Sequence, residues 1–229
     1  VPIITFSQQS KKITRIDSVL TYLYERQLFN GTVLIGEKGK VLYKKAFGMA
    51  DREWSVPNTN QTKYRIGSVT KQFTAACILQ LQEKGKLQLE DKLSKYLPDY
   101  PKGDSVTIHM LLNHTSGIKN YTDLPEFWPK AILPLSHDSM IALFKNKPYD
   151  FSPGTKWNYS NSGYYLLGLI VEKASGKNFT DYLQQEVINK AGLKNTSMDR
   201  LDSVLAFRAK GYAKTRTGGF GQAMMISME

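Results

Sequence analysis

A serine followed three residues later by a lysine, at the start of a helix, puts a hydroxyl and an amine on one face a single turn apart. Serine alone is a weak nucleophile. A lysine held uncharged by desolvation could take its proton, and the helix N-terminus adds a positive end where an oxyanion would form. A chain this rich in serine and lysine produces about two such strings by chance. Two are present, Ser68-Val-Thr-Lys71 and Ser116-Gly-Ile-Lys119. Context separates them. Ser68 follows Ile66-Gly67 and opens the most apolar helical stretch of the chain, whereas Gly117 puts Ser116 in a turn with no fixed relation to Lys119. The bland reading of Ser68, an N-cap beside a surface lysine, stays open at this point.

Tyr159-Ser-Asn161 is the chain's single Tyr-x-Asn, and it stands just before a second apolar stretch, after Pro153-Gly154. A tyrosine there could carry a proton between nucleophile and leaving group if a lysine depressed its pKa. The asparagine could hydrogen-bond a substrate amide. The competing reading is a helix N-cap box with a packed aromatic. His109, His114 and His137 read as structural, with no metal-ligand spacing between them. There is no Gly-x-Ser-x-Gly elbow and no phosphate-cradling glycine loop. Cys77 reads as a buried core thiol.

The elements that must position these groups follow from periodicity. Ile13, Ile16, Leu20, Leu23 and Tyr24 predict an amphipathic helix over 11–27. Residues 32–35 and 41–43 are β-rich runs joined by a charged turn, a hairpin whose second strand continues through Met49. Residues 51–63 read as a loop. The stretch from Ser68 to about Lys84 is helical and apolar on every face at Ala75–Leu79, which predicts burial on all sides. A helical stretch closed by Pro98 and Pro101, a short helix over 106–114, proline-broken loops over 118–157, a buried helix over 162–175 and an amphipathic helix over 179–193 complete the pattern. The tail carries Arg208, Lys210, Lys214 and Arg216 without an acid. The layout is a hairpin (within 11–50) beside a largely helical lobe (64–200), and two strands alone make a marginal sheet.

Composition closes off other classes. At 41% hydrophobic and 22% charged, the 229 residues exclude a disordered, collagen-like or coiled-coil chain. The longest apolar run, Tyr164–Val171, falls far short of the ~20 residues of a membrane-spanning helix. One cysteine excludes an intrachain disulfide. The net charge of +11 is spread over both halves, with few adjacent basic pairs, which argues for a solvated surface over a nucleic-acid face. A chain opening on Val-Pro fits removal of a signal peptide or trimming, and export is the expectation.

The motifs together outweigh each alone. Tyr64-Arg-Ile-Gly-Ser-Val-Thr-Lys-Gln-Phe-Thr-Ala76, Leu111-Leu-Asn-His-Thr-Ser-Gly-Ile118 and Phe151-Ser-Pro-Gly-Thr-Lys-Trp-Asn-Tyr-Ser-Asn-Ser-Gly-Tyr164 occur in that order. This closely resembles the penicillin-recognising serine hydrolases related to class C β-lactamases, D-alanyl-D-alanine carboxypeptidases and their esterase relatives, from about residue 13 to 213. The resemblance implies a β-lactamase/transpeptidase-like α+β fold, with an antiparallel sheet flanked by helices plus a helical lobe. It implies Ser68 as acylated nucleophile, Lys71 as proton acceptor, Tyr159 as the base and acid serving the leaving group, Asn161 as a substrate-orienting group and Tyr121 as a pocket wall. No cofactor or metal is expected. The substrate would be a small molecule or of peptidoglycan type, outside the cytoplasm: a D-alanyl peptide, a β-lactam or a small ester.

One departure stands out. The family's His/Lys-x-Gly strand triplet should follow Tyr159-Ser-Asn161, and neither Lys190-Ala-Gly192 nor Lys214-Thr-Arg216 reads as such a strand. The expectation is therefore one incomplete domain over 1–229, lacking C-terminal strands, weakly active or inactive alone, with an open sheet edge inviting a missing segment or self-association. The alternative is a non-catalytic relative that binds cell-wall polymer.

Overall fold

The computed structural model describes residues 3–200 and 203–224. They form two compact units, one drawn from Val1–Tyr64 with Val204–Met224 and the other from Arg65–Ser203.

In the first unit the amphipathic stretch forms helix α1, Ile3–Glu25. The hairpin is β1, Gly31–Glu37, antiparallel to β2, Lys40–Phe47. Lys38 and Gly39, at φ 51° and 74°, make the two-residue turn, whose twist matches the right-handed twist of the strands. Asp17 ties α1 to β2, accepting from Tyr43 Oη and Lys45 Nζ at 2.7 Å each.

The second strand does not run on through Met49. Gly48 breaks it at φ 73°, where a Cβ would fall 2.0 Å from Asn30 Oδ1. The Asn30 amide bonds both the N–H and the C=O of Met49, at 2.7 and 3.0 Å. The chain turns there into β3, Met49–Asp51, which pairs with β4, Val56–Pro57, so the expected loop over 51–63 contains a short strand. The tail supplies another antiparallel pair, β5, Tyr212–Lys214, with β6, Phe220–Gln222. Its charges meet acids distant in sequence: Lys210 contacts Asp51 at 3.0 Å and Glu53 at 2.6 Å, while the Arg52 guanidinium lies 3.6 Å over the Phe220 ring. Pattern reading missed these strands because three-residue pairs carry almost no alternation.

The second unit is helical and holds one core. Helix α2, Lys71–Glu83, packs on the longer helix α5, Asn161–Ser175; the short helix α3, Ile108–Leu112, packs on α5 as well. Cys77, Ile78 and Leu81 meet Ile108, Leu111, Leu166, Leu167 and Ile170 in the buried cluster. Burial of α2 is one-sided rather than complete, since Leu79 is 51% exposed. Ser160 caps α5 by accepting from the Gly163 N–H, and Gly176 ends it at φ 71°. The proline-rich span contains three-residue 3₁₀ turns and helix α4, His137–Ala142. The stretch before Pro98 is one 3₁₀ turn, Leu93–Lys95. The helix expected over 179–193 starts as α6, Phe179–Tyr182, and widens into a π-helix, Leu183–Ile188, a winding that keeps Leu183 and Ile188 on one buried side.

No helix among the described residues is long and apolar enough to cross a membrane, and no group of three or more His, Cys, Asp or Glu among them could hold a metal ion.

Candidate active site

All five site residues read from the sequence lie in the second unit. Ser68 sits on a 3₁₀ turn, Gly67–Thr70, that runs into α2, and Lys71 is the first residue of that helix. In 3₁₀ winding, positions three apart eclipse one another, so the two side chains leave the backbone on the same side. Ser68 is exposed and Lys71 half-buried. The Ser68 backbone N–H has no acceptor in the protein among the described residues.

The loop from His114 to Thr122 and the segment from Asp150 to Ser162 are laced together. Thr115 O accepts from the Gly154 N–H and Gly117 O from the Asp150 N–H, both at 2.8 Å. Gly117 takes φ 72°, and a Cβ there would fall 2.1 Å from the Phe151 carbonyl oxygen, so this crossing admits only glycine. Ser160 Oγ donates to Ile118 O at 3.2 Å and Ser162 Oγ to Lys119 O at 2.7 Å. This lacing carries Tyr159 and Asn161 to the mouth of α2.

Tyr159 Oη donates to Ser68 Oγ at 2.7 Å. Lys71 Nζ donates to Asn161 Oδ1 at 2.7 Å and lies 4.6 Å from the Tyr159 ring centroid and 5.4 Å from that of Tyr164. Burial alone would raise the Tyr159 phenol. Hydrogen bonding with Lys71 and Ser68, and the charge on Lys71, outweigh it and hold the phenol below its usual value. Asn161 is held in turn: its Nδ2 donates to Thr122 Oγ1 and its backbone N–H to Asn120 Oδ1, both at 3.0 Å, while Asn120 Nδ2 donates to Thr122 Oγ1 at 2.8 Å. Asn120 and Thr122 were not singled out in the sequence. Their only trace there is a pair of small polar residues flanking Tyr121.

Tyr121 is half-buried, with its ring edge-on to Phe127 at 4.8 Å and near Phe144 at 6.1 Å. Burial first, then the nearby Tyr159, push its phenol up. The rival string is not brought together. Ser116 is buried with its hydroxyl accepting from the Ile118 N–H, and Lys119 pairs with Asp150 at 2.9 Å. Cys77 is fully buried, which pushes its thiol up to about 12 and removes it as a nucleophile.

Comparison with known proteins identifies the family of the chain. The family model described as Beta-lactamase matches residues 16–229. Penicillin-binding protein 4* of Bacillus subtilis is 36% identical over 191 residues, covering 82% of this chain and 42% of that protein. The teichoic acid D-alanine hydrolase of Staphylococcus aureus is 27% identical, covering 93% of this chain and 51% of its own length. The crystal structure of a penicillin-binding protein from Bacillus halodurans superposes with TM-score 0.80 at 34% identity, over 89% of this chain and 63% of that one. The chain thus spans about half the length of the curated relatives it matches. The expected β-lactamase/transpeptidase-like fold is the observed one, and the chain belongs to the Beta-lactamase family.

Proposed function

We propose that the chain carries the acylating centre of a serine hydrolase that attacks the carbonyl of a D-alanyl peptide, a β-lactam or a small ester. The observation that carries this reading is the 2.7 Å contact between Tyr159 Oη and Ser68 Oγ, with Lys71 Nζ 4.6 Å from the Tyr159 ring centroid. Ionised by the field of Lys71, the phenolate takes the Ser68 proton as Oγ attacks the carbonyl carbon. The tetrahedral intermediate's oxyanion is met by the free Ser68 N–H. The phenol then returns the proton to the departing amine or alkoxide, leaving an acyl-serine that water hydrolyses. Tyr159 is favoured over Lys71 as first base because Oη already engages Oγ, whereas the Lys71 amine donates to Asn161. Lys71 then acts through its charge, and Asn161 offers its amide to the substrate's amide or carboxylate side.

The D-alanyl and penicillin substrate classes are favoured by the names of the relatives, one a penicillin-binding protein and one a D-alanine hydrolase. Such substrates belong to the cell wall, which fits an extracytoplasmic setting. The sequence offers no second oxyanion donor on a His/Lys-x-Gly strand, and a site short of one donor is ~100–1000-fold slower. Slow acylation is therefore expected of the 229 residues alone. The test is incubation with a fluorescent penicillin or a fluorophosphonate, with mass spectrometry of the labelled peptide. Slow label on Ser68 supports the reading. No label on any form, including a longer form of the protein, leaves the non-catalytic polymer-binding alternative.

A further inference from the structure

His114 grips Tyr159 from both sides in sequence. Its carbonyl accepts from the Asn158 N–H at 3.0 Å and its ring Nδ1 accepts from the Ser160 N–H at 3.2 Å. Its imidazole lies against the Tyr159 ring, centroids 4.6 Å apart and planes tilted 36°. His114 itself is held at φ 63°, a conformation uncommon outside glycine and asparagine, and that kink aims carbonyl and ring at neighbouring amides of one segment. Tyr164 of α5, at 5.1 Å, and Trp157, at 6.1 Å, close the other sides; Tyr164 Oη is committed to Leu112 O at 2.9 Å.

We propose that His114 is the positioning residue of the phenol, holding Tyr159 in register with Ser68 only while Nδ1 is free of a proton and can accept from Ser160. This rests on the reading of Tyr159 as the base. An N–H donor cannot share an axis with a second proton on the acceptor nitrogen, so protonating Nδ1 breaks one of the two backbone anchors. The ionisable groups facing the ring are Lys71 from α2, Tyr159, and Tyr164 from α5. Burial and the charge on Lys71 hold the imidazole below its usual value, so the clamp stays shut at neutral pH and opens in acid. The device needs no ligand or metal, only the ring proton.

Two measurements on the 229-residue chain test this, the first of them separately from the activity. In the first, NMR follows the Ser160 amide through a pH titration. The clamp requires its shift and its exchange rate to change with the midpoint of the His114 ring. A Ser160 amide indifferent to that midpoint overturns the proposal, whether or not Ser68 is acylated. In the second, acylation rate is followed against pH. With the clamp, the wild-type rate falls with first-order dependence on acidity from Tyr159 alone, and loses about one further decade on passing through the His114 midpoint. His114→Asn keeps an acceptor oxygen where Nδ1 stood, tolerates the positive φ and cannot gain the proton. It retains the rate within about threefold near neutrality and lacks the further drop. His114→Phe keeps a ring without the acceptor and slows acylation about tenfold above the His114 midpoint, the equivalent of one hydrogen bond, and converges on the wild-type rate below it. The further drop surviving in His114→Asn, or wild-type rates above that midpoint in a folded His114→Phe, contradicts the clamp. Failure of Ser68 to label while the Ser160 amide still tracks His114 counts against the hydrolase reading alone.

Discussion

The Asn161 side chain faces Lys71 with its oxygen and Thr122 with its nitrogen. The amide therefore has a single orientation, and the Lys71 amine is anchored beside the phenol of Tyr159 with no carboxylate partner among the described residues. An uncompensated amine at that point lets its whole field act on Tyr159, which a lysine paired with an acid could not do.

The first prediction follows from that charge. Asn161→Asp puts a carboxylate against Lys71, partly cancels its field and raises the Tyr159 phenol. The pH profile of Ser68 acylation should move to higher pH, with the plateau less affected. A profile unmoved by the new carboxylate would mean that Lys71 does not set the phenol.

Removing the amine goes further. Lys71→Met keeps the stem packed near α5 and deletes the charge, so acylation at neutral pH should fall by about 100-fold or more, the usual scale of general acid–base assistance. The same substitution relieves His114 of a nearby positive charge, and its NMR midpoint should rise. A drop in rate without a shift of His114 would point to unfolding rather than electrostatics.

The two Ser-x-x-Lys strings make opposite predictions. Ser68→Ala should abolish labelling. Ser116→Ala should leave it within about twofold, because the Ser116 hydroxyl is buried and bonded only to the turn; thermal unfolding should report a cost of about 1 kcal/mol. Label lost from Ser116→Ala at unchanged stability would reverse the assignment.

The crossing at Gly117 makes a prediction about folding. Gly117→Ala must abandon φ 72° or drive its Cβ into the Phe151 carbonyl, and the lacing that delivers Tyr159 depends on that crossing. A loss of at least ~2 kcal/mol in denaturant unfolding is expected, with acylation lost in the population that remains folded. A neutral substitution would show that the crossing has room to give.

Legibility in the sequence tracked the range over which each cause acts. Periodicity over ten or more residues revealed α1, a stretch apolar nearly all round and ended by Gly176 revealed α5, and two β-rich runs with a charged turn revealed β1 and β2. The turn that ends β2 depends on Asn30, nineteen residues before Met49, and Lys210, just ahead of β5, finds its ion partners at Asp51 and Glu53, so no local window holds either cause. The apolar run at Ala75–Leu79 suggested all-round burial, yet a mean over all faces hides Leu79, which stays exposed. At the site, Ser68 and Lys71 stood out from a string of chance frequency by their place at the head of an apolar helix, and the order of the three motif blocks supplied the rest. Their supports were not visible. Asn120, Thr122 and His114 act through hydrogen bonds spanning 39 to 46 residues; the block around His114 was marked by the resemblance, but no local pattern gave its partners or picked out Asn120 and Thr122.

The account turns on whether the phenol at 159 is ionised by the amine at 71 while in contact with the serine hydroxyl. Ultraviolet difference titration of the wild-type chain against Tyr159→Phe isolates that one phenol from the other tyrosines. A transition below pH 10 in the wild type, absent from Tyr159→Phe, shifted upward in Lys71→Met and coincident with the rise in Ser68 acylation rate, is the predicted result. A Tyr159 transition at or above pH 10, or an acylation profile that ignores it, would contradict the account.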